Sequence, residues 1–266
     1  MKKKIAIIGA GNLGSAIALG LVKSKLAKAS DVTITRRNLS KVGHLKKEGF
    51  ALTVDNVDAA KKSDLIILCV QPKQLAAVLA EMSGAIQSKH VLVSTITGIS
   101  TEEIASHLKR KTPIIRAMPN TAIAIGQSMT CLCAKDATDK QLDEVKTLFA
   151  GLGETLVIEE RLMKAATVLA ASGIAFFMRY IRAATQGGIQ MGFDADEAQL
   201  IAAQAAKGAS SLLLASESHP ELEIDKVTTP EGCTIAGLNE MEHQGLSSAL
   251  IKGIITSFDK INNIKK

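Results

Sequence analysis

The chain has no tryptophan and a single tyrosine, and aromatic side chains make up only 3% of its 266 residues. A core without large rings has to be filled by Ala, Ile, Leu, Val and Met, and the small residues among these let helices approach closely. Cysteine is scarce. Cys69, Cys131, Cys133 and Cys233 show no paired metal-ligand spacing and have no histidine cluster beside them, which excludes a disulfide scaffold and gives no metal site. Buried, reduced thiols are expected. Long apolar runs are missing too: past the N-terminus, the longest wholly uncharged apolar stretch is Ala165 to Met178, short of the roughly 20 residues that span a bilayer. Lys2, Lys3 and Lys4 before an apolar run resemble a secretory leader, but Asn12 and the glycines at 9, 11 and 14 interrupt that run. A soluble, cytoplasmic protein without a membrane partner is expected.

A hydrophobic fraction of 47% with 22% charged residues is what a globular core needs, and the length suits one large domain or two. Lys+Arg 32 against Asp+Glu 26 gives a formal charge of +6, which favours an anionic partner. The terminal lysines contribute to this excess, and no basic stripe with interleaved aromatics accompanies it, so nucleic acid is not expected. A small phosphorylated ligand stays open.

Short β-branched runs alternate with helical patterns through the first half, the rhythm of a parallel sheet with crossover helices. Strands are expected at 4–8, 32–35, 65–70, 91–95, 114–117, 128–133 and 154–157. Helices are expected at 13–23, 40–48, 74–82, 101–108 and 139–150. Ser100 or Thr101 before Glu103 reads as a helix cap, and Pro72 as a rigid start to a crossover. From about residue 159 the strands stop, and 160–190, 194–216 and 246–262 read as helices rich in Ala, Leu, Ile and Met. The expected architecture is an α/β Rossmann-type domain with a parallel sheet over 1–158, followed by an all-α domain over 159–266. Ala165 to Met178 is apolar around most of its circumference, so a second copy of the chain is expected to cover it.

Gly9-Ala10-Gly11-Asn12-Leu13-Gly14 stands between the first strand, which ends at Ile8, and the first helix, the context that a dinucleotide fingerprint requires. Gly9 makes the tight turn, Gly11 admits the pyrophosphate, and Gly14 lets helix and strand pack. The helix start offers free N–H groups to the phosphates. About 20 residues on, where a carboxylate would bind the ribose of NAD, stand Arg36 and Arg37. Guanidinium groups suit a 2′-phosphate, so NADP(H) is expected, with NAD(H) as the alternative cofactor; the competing reading is two surface arginines beside a loop.

These residues resemble the pyrroline-5-carboxylate reductase family. Val70-Gln71-Pro72 is similar to its A-V-K-P segment, Arg116 to Thr121 to its R-x-M-P-N-T segment, and Val227 to Leu238 to its V-T-S-P-G-G-T-T-I-x-G-L segment. The sequence departs from the family at Gln71 for lysine, Ala122 and Ile174 for prolines, Glu231 for glycine, and Cys233 for threonine or alanine. A glutamate is costly at 231 if that glycine needs positive φ. The resemblance implies reduction of 1-pyrroline-5-carboxylate to L-proline by hydride from NAD(P)H, in a homodimer or a higher oligomer built from dimers. It also implies cofactor contacts at Ile8, Gly9, Gly11, Asn12, Leu13, Gly14, Arg36, Arg37, Asn56, Val70, Gln71, Pro72, Thr95, Ile96 and Thr97. Met118, Pro119 and Asn120 either line the nicotinamide side or form a simple loop.

The substrate, a small cyclic imino acid, is expected at Glu217, Thr229, Gly232, Cys233 and Thr234. Thr234 is the candidate donor to the imine nitrogen, and the alternative for its hydroxyl is a helix cap. Glu217 faces the ring nitrogen or is simply an exposed helix-end acid. Backbone N–H groups at 232–234 would cradle the carboxylate. The rival readings are a reductase of another cyclic imine, a β-hydroxyacid dehydrogenase-like enzyme and a non-catalytic NADP-binding regulator. A β-hydroxyacid dehydrogenase would need asparagine four residues after Lys164, where Val168 stands.

Overall fold

The structure is a computed structural model that describes residues 3–262. Its first half runs β1 (Ile5–Ile8), α1 (Asn12–Lys23), β2 (Val32–Thr35), α2 (Gly43–Lys47), β3 (Ala51–Thr53), α3 (Asn56–Lys61), β4 (Leu65–Leu68), α4 (Leu75–Met82), β5 (Val91–Ser94), α5 (Thr101–Ser106) and β6 (Ile114–Met118). There follow β7 (Ser128–Lys135), α6 (Asp139–Ala150) and β8 (Gly153–Val157). The eight strands form one sheet in the order β3-β2-β1-β4-β5-β6-β7-β8.

β1, β4, β5 and β6 bury every residue, as strands covered on both faces do. Ile5 and Ile7 enter one core with Ile17, Leu21 and Phe149, whereas Ala6 and Ile8 enter the other with Leu75, Leu79 and Ile104. That two-residue alternation places a hydrophobic layer on each side of the sheet.

The sheet is not wholly parallel, because β7 pairs with β6 antiparallel through Arg116↔Cys133. The nine residues from Pro119 to Gln127 hold only a short 3₁₀ turn, closed by Gly126 at φ 71°, and a parallel crossover needs a dozen or more. β8 then pairs parallel to β7 after α6. The three-residue β3 and six-residue α3 were not expected. Each is too short to carry a period, and β3 exists through its ladder with β2. The expected helix at 40–48 is a 3₁₀ turn, Leu39–Val42, followed by α2.

By packing, the described residues form two compact units, one running up to Ser172 and joined by residues 258–262, the other Gly173–Ser257. The pattern expected as one helix over 160–190 is a 3₁₀ turn (Glu160–Leu162), α7 (Met163–Ala166), a π turn (Thr167–Ser172) and α8 (Gly173–Gln190). Then come α9 (Ala195–Ser216), α10 (Pro220–Lys226), α11 (Cys233–His243) and α12 (Leu246–Asn262). α8 packs on α9 at Gly188, where a Cβ would lie 2.9 Å from that of Ala198. The other faces stay open: Phe177 is 67% exposed, Leu200 70% and Leu214 79%. The 31 residues of Glu160–Gln190 contain an 18-residue window of mean hydropathy 1.4, long and apolar enough to cross a membrane.

Candidate cofactor and substrate sites

Three glycines of the first loop do three different things. Gly9 has φ +101°, and a Cβ on it would strike the Cys69 carbonyl at 2.8 Å. At Gly14 a Cβ would lie 2.4 Å from the Gly9 carbonyl, so the turn and α1 close up only on hydrogen. A Cβ on Gly11 would meet nothing within 4 Å, because this residue borders open space. The N–H groups of Gly9 and Ala10 donate to the Thr35 carbonyl at 3.2 and 2.9 Å, fixing the loop to the end of β2. Gly11 caps α1 without a side-chain acceptor, and no acid stands in the first turn, so the helix start remains an anion site.

A cleft of about 910 Å³ opens there, past the carboxyl ends of β1, β2 and β4, where the strand order reverses. Ile8, Gly9, Gly11, Arg36, Arg37, Asn56, Val70 and Gln71 line it, as expected from sequence. Asn12, Leu13 and Gly14 form the helix start beside it, and Pro72 begins the 3₁₀ turn Pro72–Gln74 behind Gln71. Thr95, Ile96 and Thr97 do not line it. Thr95 is buried with its hydroxyl on the Leu68 carbonyl at 2.9 Å, Ile96 is buried, and Thr97 reaches the Met118 sulfur at 4.0 Å.

Asn38, Lys41, Lys73 and Glu81 were missed, lying on turns and on α4 with no motif to mark them. Arg36 donates from Nη1 to the Ala10 carbonyl, so it braces the glycine loop. Arg37 and Lys41 are exposed and make no ion pair among the described residues. A phosphate at the end of β2 would therefore meet two cations that no carboxylate pairs among the described residues. Asn56 donates to Glu81 Oε2 at 3.1 Å, which fixes its amide across the cleft. Burial pushes the Cys69 thiol up to about 12 against the lowering effect of its Thr95 hydrogen bond, so this wall residue is not a nucleophile.

The expected substrate residues lie in the second unit. Gly232 N–H is taken by the Thr229 carbonyl at 3.0 Å, which leaves Cys233 and Thr234, the first residues of α11, as the N–H donors. Gly232 itself is the N-cap, so Thr234 does not cap the helix, and its hydroxyl makes no hydrogen bond among the described residues. Thr229 is exposed. Glu217 ends α9 in the left-handed conformation (φ 52°) and is exposed, and Glu231 stands at φ 58°. The residue at 231 does need positive φ, and glutamate is strained there. Cys131 and Cys133 are buried as expected of reduced thiols, but Cys233 is exposed on the first turn of α11.

This sheet order, glycine turn and basic cleft define a dinucleotide-binding α/β protein whose chain forms two units. The family model described as pyrroline-5-carboxylate reductase dimerisation matches residues 160–264, and that described as NADP oxidoreductase, coenzyme F420-dependent, matches 4–98. Two relatives in Dictyostelium discoideum, pyrroline-5-carboxylate reductases 1 and 2, are 50% and 46% identical over 96% and 97% of this chain. The chain spans 49% of the first relative's length and 92% of the second's. A solved pyrroline-5-carboxylate reductase from Coxiella burnetii has a TM-score of 0.92 at 26% identity, with full coverage of both chains. The chain belongs to the pyrroline-5-carboxylate reductase family.

Proposed function

We propose that this chain reduces 1-pyrroline-5-carboxylate to L-proline as a homodimer, with NADPH preferred to NADH. When bound, the coenzyme supplies the hydride that adds to the C=N carbon. The glycine turn is shaped for its pyrophosphate, since a side chain at position 11 would fill the open space and one at 9 or 14 would clash. Arg37 and Lys41 would hold the 2′-phosphate while Arg36 braces the loop. N–H groups at Cys233 and Thr234 would face the substrate carboxylate. As electron density builds on the imine nitrogen, the Thr234 hydroxyl would donate a hydrogen bond to it, and a proton from solvent would complete the amine. The observation that carries the reading is this uncommitted hydroxyl on the first turn of α11. The four unpaired cysteines fit a reducing compartment, and we assign the chain to the cytoplasm.

Steady-state reduction of pyrroline-5-carboxylate with each coenzyme tests the proposal. The wild type should turn over, and Thr234→Ala should lose about a hundredfold in kcat while keeping its NADPH dissociation constant. Unchanged kcat would remove Thr234 from the chemistry. NADPH binding without turnover by the wild type would instead favour a regulator whose substrate segment is altered at the strained Glu231.

A further inference from the structure

Asn120, expected either to line the nicotinamide side or to sit in a plain loop, lies in the loop after β6 with its side chain engaged at both ends. Its Oδ1 accepts from the Ala122 N–H at 3.0 Å, closing the turn after β6, and its Nδ2 donates to the Ala170 carbonyl at 3.2 Å. Its own N–H donates to the hydroxyl of buried Ser128 at 3.1 Å. Both ends of the amide are therefore committed inside the first unit.

Ala170 lies in the π turn Thr167–Ser172. A π turn has an i→i+5 ladder in place of the α-helical one, and it persists where neighbouring groups favour the irregular register. Two side chains do so here. Thr167 is buried and returns its hydroxyl to the Met163 carbonyl at 2.7 Å, and Asn120 holds the carbonyl three residues further on. Met163 is fully buried against Met118, Cys131 and Cys133, so the segment before the π turn cannot rotate to compensate.

We propose that Asn120 is a positioning residue, whose amide selects the π register of Thr167–Ser172 and so sets the backbone phase in which the first unit reaches Ser172. Relaxation of the turn to α-helix would advance the residues at its end by one position, about 100° around the axis. Ala171 to Ala175 match the family's S-G-x-G-P-A segment, here without its proline, so the register is not fixed by a ring at position 174. The catalytic part of this inference rests on the reductase reading above; the register part does not.

Asn120→Asp is the discriminating variant, because it keeps the acceptor for Ala122 N–H and turns an oxygen toward the Ala170 carbonyl. It should lower kcat by about ten- to a hundredfold through mispositioning, leave the NADPH dissociation constant unchanged, and speed amide hydrogen exchange across 167–173. Wild-type kcat with unchanged exchange would overturn the proposal. So would a loss of NADPH affinity in step with kcat, which would make Asn120 a cofactor contact. If the variant does not fold, NMR of the wild type decides: the Asn120 side-chain amide protons should be protected from solvent, and rapid exchange would refute the pin. Should the wild type lack reductase activity, the functional reading fails while the exchange comparison still judges the register.

Discussion

Two adjacent arginines at the end of β2 do different jobs. Arg36 is half-buried and spends a guanidinium hydrogen on the Ala10 carbonyl, whereas Arg37 is exposed and uncommitted. A charge swap at Arg36 would disturb the glycine loop and weaken either coenzyme. Arg37→Ser should touch only the phosphorylated one: its NADPH affinity should fall about tenfold, the scale of one charge-assisted contact, with NADH affinity and melting temperature unchanged. Calorimetric titration with both coenzymes reads this directly, and equal losses would show a general charge effect. The pair was legible in sequence as a cationic feature, but the division of labour was not, because it depends on which guanidinium the loop carbonyl captures.

The Rossmann unit is tied together at the start of the 3₁₀ turn that follows β8. Glu160 accepts from the Thr101 N–H at 2.7 Å and from the Thr101 hydroxyl, and it pairs with Arg116 Nη1 at 3.2 Å. It thereby sits at the N-terminus of α5, beside a guanidinium that β6 buries to 4% exposure. Burial tends to raise its pKa, but the Thr101 and Arg116 hydrogen bonds and the Arg116 charge outweigh it and hold the carboxyl below the ordinary glutamate value of 4.5.

A group whose pKa is depressed on folding stabilises the fold above its unfolded value and loses that contribution as pH falls through its folded value. The melting temperature should therefore drop as pH is lowered from about 4.5. Glu160→Gln should melt lower at neutral pH, since Arg116 is left buried and unpaired, and its acid decline should be shallower. Parallel curves for the two proteins would exclude Glu160 as a source of acid sensitivity. The cap at Ser100, which accepts from Glu103 N–H at 3.1 Å, was readable from spacing; the Glu160 contact, 59 residues away, was not.

For the whole molecule, the decisive feature is apolar surface. Phe177 and Met178 on α8, Leu214 on α9, and Leu250 and Ile251 on α12 are exposed, an amount that a soluble monomer rarely tolerates. Glu160–Gln190, which carries Phe177 and Met178, is long and apolar enough for a membrane span, but it lies within the region matched by a dimerisation family, which favours a second copy as its cover. Light scattering should give at least twice 28.0 kDa at micromolar concentration. Phe177→Glu should lower the mass toward one chain and lower the melting temperature, because covering this face with a second copy would then cost the desolvation of a charge. A wild-type mass of one chain would show that these faces are not subunit contacts.

The sequence by itself determined the alternating sheet, the glycine turn with its three separate steric demands, the basic end of the cleft and the helical second half. All of these follow from local periodicity or from φ and Cβ requirements within a few residues. Tertiary structure alone decided that β7 turns back antiparallel, that β3 and α3 exist, that Thr234 is not a cap, and that Asn120 reaches a π-turn carbonyl 50 residues away. Those outcomes depend on which backbone groups find partners across the fold, and no short window of sequence specifies the partner.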